Sequence, residues 1–325
     1  MVNRIRVHAT GDADALQMES VDLAGPAADE VQVRHTAIGL NFIDVYFRTG
    51  VYAAPQLPFT PGLEAAGVVE AAGDAVEDLR VGDRVAYASA PLGAYSESRN
   101  MPAARAVKIA DGVDERTAAA IMLKGMTAHY LLRAAYRVQA GDTILLHAAA
   151  GGVGLIACQW AKHLGARVIG TVGSEEKAEL ARANGCEFVI DYNRENFVER
   201  VRDITDGAGV PVVYDSVGEA TFMHSLDCLS MRGTMVSFGQ SSGKVAPFDI
   251  GILNAKGALY VTRPSLFNYT ATRDELIYRA GEVFDAVVSG AVAIHINQTY
   301  PLADVVTAHR DLEARRTTGS TVLIP

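Results

Sequence analysis

At 325 residues, 49% hydrophobic and 21% charged, the chain has material for two buried cores and the composition of an ordinary globular protein. A formal net charge of −9 argues against a phosphate-backbone binder, so no nucleic-acid partner is expected, while a local basic pocket for a phosphorylated small molecule stays open. Cys158, Cys186 and Cys228 are odd in number and far apart in sequence, which suits a reducing compartment better than a disulfide framework. The opening MVNRIRVHATG has no apolar run like a signal peptide, and no stretch of about eighteen apolar residues runs unbroken. A cytoplasmic enzyme without a membrane partner is expected.

The first 120 or so positions carry short alternating strands separated by Gly and Pro. Val31–Ile38 alternates, and 66–70 and 83–87 are further strand candidates in a β-rich, barrel-like domain. Near Thr117 the pattern changes, and 117–123 and 127–132 have helical spacing. A strict strand–helix alternation follows. Strands are expected at 143–148, 167–172, 188–191, 212–215, 234–238 and 258–262, with helices at 154–164, 175–183 and 196–205 between them. The strands are short apolar runs with little alternation, as when helices cover both faces of a parallel sheet. A doubly wound α/β sheet is the expected fold class. After about residue 263 come a helix over 273–289, the segment 295–300, another helix, and a terminal strand over 321–324. That strand has no βα partner, so it is expected to return to the first domain.

The strongest motif is the run from Thr143 through Gly154 into an apolar-periodic helix. Ala148, Gly151 and Gly154 fit an A-x-x-G-x-x-G variant of the dinucleotide fingerprint. The turn Ala150, Gly151, Gly152, Val153, Gly154 would let a pyrophosphate approach a helix N-terminus, and Gly154 would let the helix pack closely. An acid for the ribose is expected about twenty residues on. The chain there reads TVGSEEK, and Val172 stands at the strand end instead. Glu175 and Glu176 fall in the first turn of the next helix, where acids complement the helix dipole, with Ser174 as N-cap. Gly173 makes room, Ser174 offers a hydroxyl and Lys177 a charge, and Tyr192 at the end of the next strand can add a phenolic donor. This set favours NADP over NAD.

The segment from Gly141 to Lys162, together with 41–44, 61–67, 213–216 and 260–264, resembles the zinc-free quinone oxidoreductases of the medium-chain dehydrogenase/reductase superfamily over essentially the whole chain. The resemblance implies a Rossmann domain beside a GroES-like barrel domain. It divides the chain into residues 1–124 of the catalytic domain, 125–263 of the NADP-binding domain, and 264–325 returning to the first. It implies NADPH as cofactor and a quinone, or a related electron-poor acceptor, entering an interdomain cleft. Asn41 stands at the first zinc-ligand position and Leu63 within the G-H-E position. No C-x₂-C spacing occurs and no two histidines pair at ligand spacing, so no metal is expected.

Hydride chemistry then needs orientation and a donor near the oxygen where charge develops. By resemblance Asn41, Tyr46 and Tyr52 border the nicotinamide and the substrate, where the tyrosines could equally be packing aromatics in a turn-rich region. Lys124 and Tyr130 are further candidates. The resemblance carries cofactor contacts to Ser216 and Phe238, both at strand C-termini where open α/β sheets bind ligands. It also carries Arg315, with Arg316 competing for the register. Arg263 after the sixth strand could reach the cofactor diphosphate or the cleft mouth. A homodimer paired through the strand at 257–262 is expected. Rival readings are an enone or alkenal reductase on the same fold and an NADPH-binding protein without turnover. Gly239–Gly243 also fits the hydrolase elbow G-x-S-x-G, but nothing after Ser241 can begin the helix that motif requires.

Overall fold

β-Branched and small apolar residues dominate the strands, and the places where strands and helices touch most closely are held open by glycine. The computed structural model describes residues 1–325. The chain divides into two compact units, residues 1–126, 270–288 and 294–325 in one, and 127–269 with 289–293 in the other.

The first unit opens with an antiparallel hairpin of β1 (Val2–Arg6) and β2 (Gln17–Val21). Its main sheet is built on the long strand β3 (Glu30–Leu40). Antiparallel neighbours are β4 (Glu64–Ala72), then β5 (Arg84–Ala88) and β7 (Val107–Lys108), while β6 (Ser98–Pro102) pairs with the start of β3. On the other side of β3 lie β15 (Ser320–Ile324), antiparallel, and β14 (Ile296–Pro301), parallel to β15. The last strand thus lies in the first sheet, against β3. The alternation along 31–38 places Val31, Val33, Ala37 and Ile38 inside at 0% exposure, with Tyr87, Tyr95 and Leu323 in the same core. The helices of this unit are α1 (Phe42–Thr49), α2 (Glu115–Tyr130, of which 127–130 lie past the division), α9 (Arg273–Val288) and α10 (Val305–Glu313).

Two local expectations change. Asn41-Phe-Ile-Asp44 is the start of a helix, not of a turn-rich segment: Asp44 Oδ2 accepts from the Asn41 amide at 2.9 Å, and Gly50 ends the helix in the left-handed region at φ 82°. The two helical stretches near 117–132 are one continuous helix that ends in a π-turn at Leu131–Ala135.

The second unit is a six-stranded, all-parallel sheet in the order β10-β9-β8-β11-β12-β13. The strands are β8 (Thr143–Leu146), β9 (Arg167–Val172), β10 (Phe188–Asp191), β11 (Val210–Asp215), β12 (Leu229–Ser237) and β13 (Tyr260–Thr262). The helices are α3 (Gly152–His163), α4 (Glu175–Ala183), α5 (Phe197–Ile204), α6 (Phe222–Asp227), α7 (Gly251–Ala255) and α8 (Leu266–Tyr269). The strand order reverses between β8 and β11, the switch point at which such sheets bind ligands. Leu145, Ile169, Ile190 and Val213 form the buried centre. Cys158 on α3 and Cys186 ahead of β10, distant in sequence, bring their Sγ atoms to 3.3 Å as free thiols.

Gly39 shows how tightly the first unit is fitted. A Cβ there would overlap Glu64 Oε2 and the carbonyl oxygen of Ala119 on α2. Glu64 is fully buried and α2 backbone is rigid, so neither neighbour can give. Gly39→Ala is expected to destabilise by about 1–3 kcal/mol and lower the melting temperature by roughly 2–4 °C per kcal/mol. An unchanged calorimetric transition would mean that Glu64 can move aside.

Candidate functional site

In the second unit β8 ends at Leu146, and Ala148 follows in the left-handed region at φ 55°. That conformation explains why the first fingerprint position is usually glycine; alanine tolerates it at some strain. Gly151 is the extended N-cap of α3, and its own amide donates to Ala148 O at 3.0 Å. The first helical bond runs from Leu155 N to Gly151 O at 2.9 Å, so the amides of Gly152, Val153 and Gly154 lack intrahelical acceptors. They point a row of donors and the positive end of the helix dipole at the switch point, a setting for a phosphate. A Cβ on Gly154 would overlap the carbonyl oxygens of Ala148 and Ala149, so glycine is what lets the helix sit on the turn. Ala150 is buried beneath.

At the end of β9 Val172 is buried and offers no polar group. Ser174 caps α4, accepting from Lys177 N at 3.3 Å. Glu175 pairs with Arg182 at 2.8 Å and lies 3.8 Å from Arg194, as a helix-start acid facing cations rather than a ligand. The ring of Tyr192, which is 41% exposed, lies over Gly173 so closely that a Cβ would overlap its hydroxyl. Gly173 thus lies beneath the Tyr192 phenol, Ser174 follows it as the cap of α4, Lys177 stands in the first turn of that helix, and no acid ends the strand.

At the ends of the central strands lies a buried polar network that sequence reasoning missed. Asp215, fully buried, accepts from Val217 N at 2.7 Å, Gly218 N at 3.0 Å, Thr221 Oγ1 at 2.7 Å and Ser225 Oγ at 3.3 Å. His147 lies 2.8 Å from Thr171 Oγ1 and 2.9 Å from Ser225 Oγ, and burial pushes its pKa down, keeping the ring neutral. The network ties β8, β9 and β11 together where the turns diverge. A short apolar strand closing on Asp-Ser was its only sequence signal. Ser216 follows directly, Phe238 N donates to Asp215 O at 2.8 Å, and Arg263 Nη1 donates to Ser237 O at 2.8 Å. Arg315 is exposed, at φ 58° just after α10, while Arg316 is ion-paired with Asp311. Ser241 is followed by a turn and irregular chain until Gly251, so the elbow motif has no helix.

In the first unit the centre is Glu64, at 0% exposure. Its carboxylate accepts from Leu123 N at 2.6 Å, Asn41 Nδ2 at 2.7 Å and Lys124 Nζ at 3.2 Å. Asn41 Nδ2 also donates to Gly39 O at 3.3 Å. Both amide hydrogens of Asn41 are thus engaged inside the protein, on Glu64 and on Gly39. A second chain runs inward from the surface. Glu313 holds Arg48 through two bonds of 2.6 and 2.8 Å, and Arg48 Nη1 donates to His309 Nδ1 at 3.2 Å. His309 Nε2 lies 3.1 Å from Tyr95 Oη, which donates to Asp44 Oδ2 at 2.9 Å. Burial pushes Asp44 up to about 7 and His309 down to about 3, while Asp44 Oδ1 has no hydrogen-bond partner. Tyr46 and Tyr52 meet edge to face with centroids 5.1 Å apart.

The donor set does not fit zinc. Asn41 and Leu63 bring neither thiolate nor imidazole, and no group of three or more His, Cys, Asp or Glu side chains is placed to hold a metal ion. No helix is long and apolar enough to cross a membrane.

Residues 152–275 match the family model described as zinc-binding dehydrogenase, and residues 27–138 match the alcohol dehydrogenase GroES-like domain. The chain is 53% identical to quinone oxidoreductase from Pseudomonas aeruginosa, covering 100% of both chains. It is 44% identical to 2-haloacrylate reductase from Burkholderia sp, covering 100% of this chain and 99% of that one. The crystal structure of Escherichia coli quinone oxidoreductase complexed with NADPH superposes with a TM-score of 0.98 at 50% identity, covering 99% of this chain and 100% of that one.

Asp44 makes a pH signature. In the folded protein its carboxyl keeps its proton up to about 7, against an ordinary carboxyl value of 3.8. Between those values the folded state binds more protons than the unfolded state, so this group lowers stability as pH rises through the window, by on the order of 4 kcal/mol in total. Relative to Asp44→Asn, the parent is expected to lose stability from about pH 4 to about pH 7 in denaturant titrations, and to stay level above. Parallel profiles for the two proteins would refute the assignment.

Proposed function

The chain belongs to the quinone oxidoreductases of the medium-chain dehydrogenase/reductase superfamily, and from that premise we propose that it reduces quinones with NADPH by hydride transfer without a metal. The observation that carries this reading is the replacement of the ribose acid by Val172, Gly173 and Ser174 in a chain 50% identical to a quinone oxidoreductase crystallised with NADPH. The enzyme is an oxidoreductase of the NADP-using kind, and the metal-free route and the quinone are the finer part of the proposal.

Bound NADPH supplies the hydride. The amides of Gly152, Val153 and Gly154, with Ala150 and Gly151 forming the close turn, bind its pyrophosphate at the start of α3. Ser174, Lys177 and Tyr192 hold the 2′-phosphate above Gly173, and no carboxylate stands at the strand end to repel it. Ser216, Phe238 and Arg263, at the ends of the sheet's strands, would contact the cofactor, and Arg315 is a further candidate carried by the family resemblance. Tyr46 and Tyr52 present aromatic faces to a flat acceptor, and Asn41 keeps Glu64 and the start of α1 in register beside them. Without thiolate or imidazole at Asn41 and Leu63, polarisation of the acceptor falls to hydrogen-bond donors.

The 44% identity to a 2-haloacrylate reductase supports a second reading, reduction of an electron-poor alkene on the same site. We also propose a homodimer through the edge strand β13, where Tyr260 is 62% and Val261 36% exposed.

Two measurements test this. NADPH oxidation is followed with a panel of quinones and conjugated enones; oxidation with quinones supports the main reading, oxidation confined to enones the second, and none at all a binding protein without turnover. Cofactor titration is expected to show NADPH bound at least tenfold tighter than NADH, an advantage of about 1.4 kcal/mol. Lys177→Ala is expected to remove most of that advantage while leaving NADH affinity within about twofold. Equal affinity of the parent for both cofactors sinks the NADP assignment.

A further inference from the structure

The proposed reduction leaves one chemical requirement unassigned. When a quinone takes up a hydride it becomes a hydroquinone monoanion, and a proton must still reach its oxygen. Asn41 cannot supply the stabilising hydrogen bond, because both its amide hydrogens are held by Glu64 and Gly39.

Lys124 meets the requirement. Its ammonium sits on α2 with a side chain only 7% exposed, and its one hydrogen-bond partner in the protein is Glu64 Oε2 at 3.2 Å. An ammonium carries three donors, so two are uncommitted in a place nearly closed to water. Glu64 is already fixed by Leu123 N and Asn41 Nδ2 and is wholly buried, so it anchors the lysine instead of following it. The same oxygen, Oε2, receives both Asn41 and Lys124, which places the ammonium beside the N-terminus of α1, the helix that carries Tyr46 of the proposed acceptor site. A buried cation with free donors is a strong stabiliser of a developing oxyanion.

We propose that Lys124 is a catalytic residue that binds the reduced acceptor's oxyanion and protonates it; this rests on the reading above. Hydride transfer oxidises NADPH to NADP and reduces the quinone to its monoanion. The Nζ–H bond of Lys124 then breaks as the phenolic O–H bond forms, and the neutral amine beside Glu64 regains a proton from solvent.

The test has a readout that needs neither cofactor nor turnover. 4-Nitrophenol, whose ionised form alone absorbs in the visible, is titrated into the full chain at a pH where the free probe is half ionised. The parent is expected to draw the probe to its phenolate, and Lys124→Met to weaken phenolate binding at least tenfold. In turnover Lys124→Met is expected to lose about 10²–10⁴ in kcat, the range for general acid–base catalysis, with a smaller change in KM. Lys124→Met leaves Glu64 buried without its cation, so the double variant K124M/E64Q checks that the loss is not misfolding. Lys124→Arg keeps a charge that gives up no proton, and is expected to retain phenolate binding while staying low in kcat. Unchanged phenolate binding in folded Lys124→Met, or full kcat in Lys124→Arg, overturns the assignment. A parent without quinone turnover refutes the proposed function instead, and phenolate binding still decides Lys124.

Discussion

The first unit is organised around a carboxylate that water never reaches. Burying an ionised group is costly unless its lone pairs are filled, and Glu64 fills them with a backbone amide, a side-chain amide and an ammonium. The partners come from two elements other than Glu64's own strand: Leu123 and Lys124 from α2, Asn41 from the junction of β3 and α1. Satisfying one charge therefore fixes the register of three elements. Gly39 follows from the same constraint, since the space beside Glu64 has no room for a side chain.

The second unit is ordered by a different device with the same logic. Asp215 gathers two amides and two hydroxyls, and His147 continues the network to Thr171. Strand ends that must diverge to form a binding edge are thereby tied at their roots. The glycine-rich turn can stay open towards a ligand because its support is behind it.

Much of the second unit was legible in the sequence because its signals are local. The helix over 175–183 has the expected bounds, with Ser174 as its cap, and the strands fall within a few residues of the apolar runs. Parallel strands buried on both faces leave little room for other patterns. The first unit was harder. The hairpin of β1 and β2 alternates with exposed polar residues, and β7 is only two residues long, so neither rises above a loop in composition. The helix of 42–49 was hidden because its aromatic residues suit a turn or a packing cluster equally well.

The site was legible as a list of residues and not as a set of bonds. Asn41 could be singled out, yet the direction of its amide depends on Glu64, twenty-three residues away. Cys158 and Cys186 looked unrelated for the same reason. The chain Glu313–Arg48–His309–Tyr95–Asp44 joins α10 to α1 across most of the sequence, and no spacing rule reaches that far.

The return of β15 to β3 has a consequence for biosynthesis. Thr321 pairs with Leu40, one residue before Asn41. At about 5–20 residues per second, the roughly 280 residues between them take on the order of tens of seconds to translate. Through that interval β3 waits on the ribosome with one edge unpaired, while residues 127–269 can already close their own sheet. A message cut short would yield a finished nucleotide-binding sheet beside an unfinished partner, with an open strand edge for other chains to join. Only with the emergence of residues 320–324 does the segment leading into Asn41 gain its last neighbour.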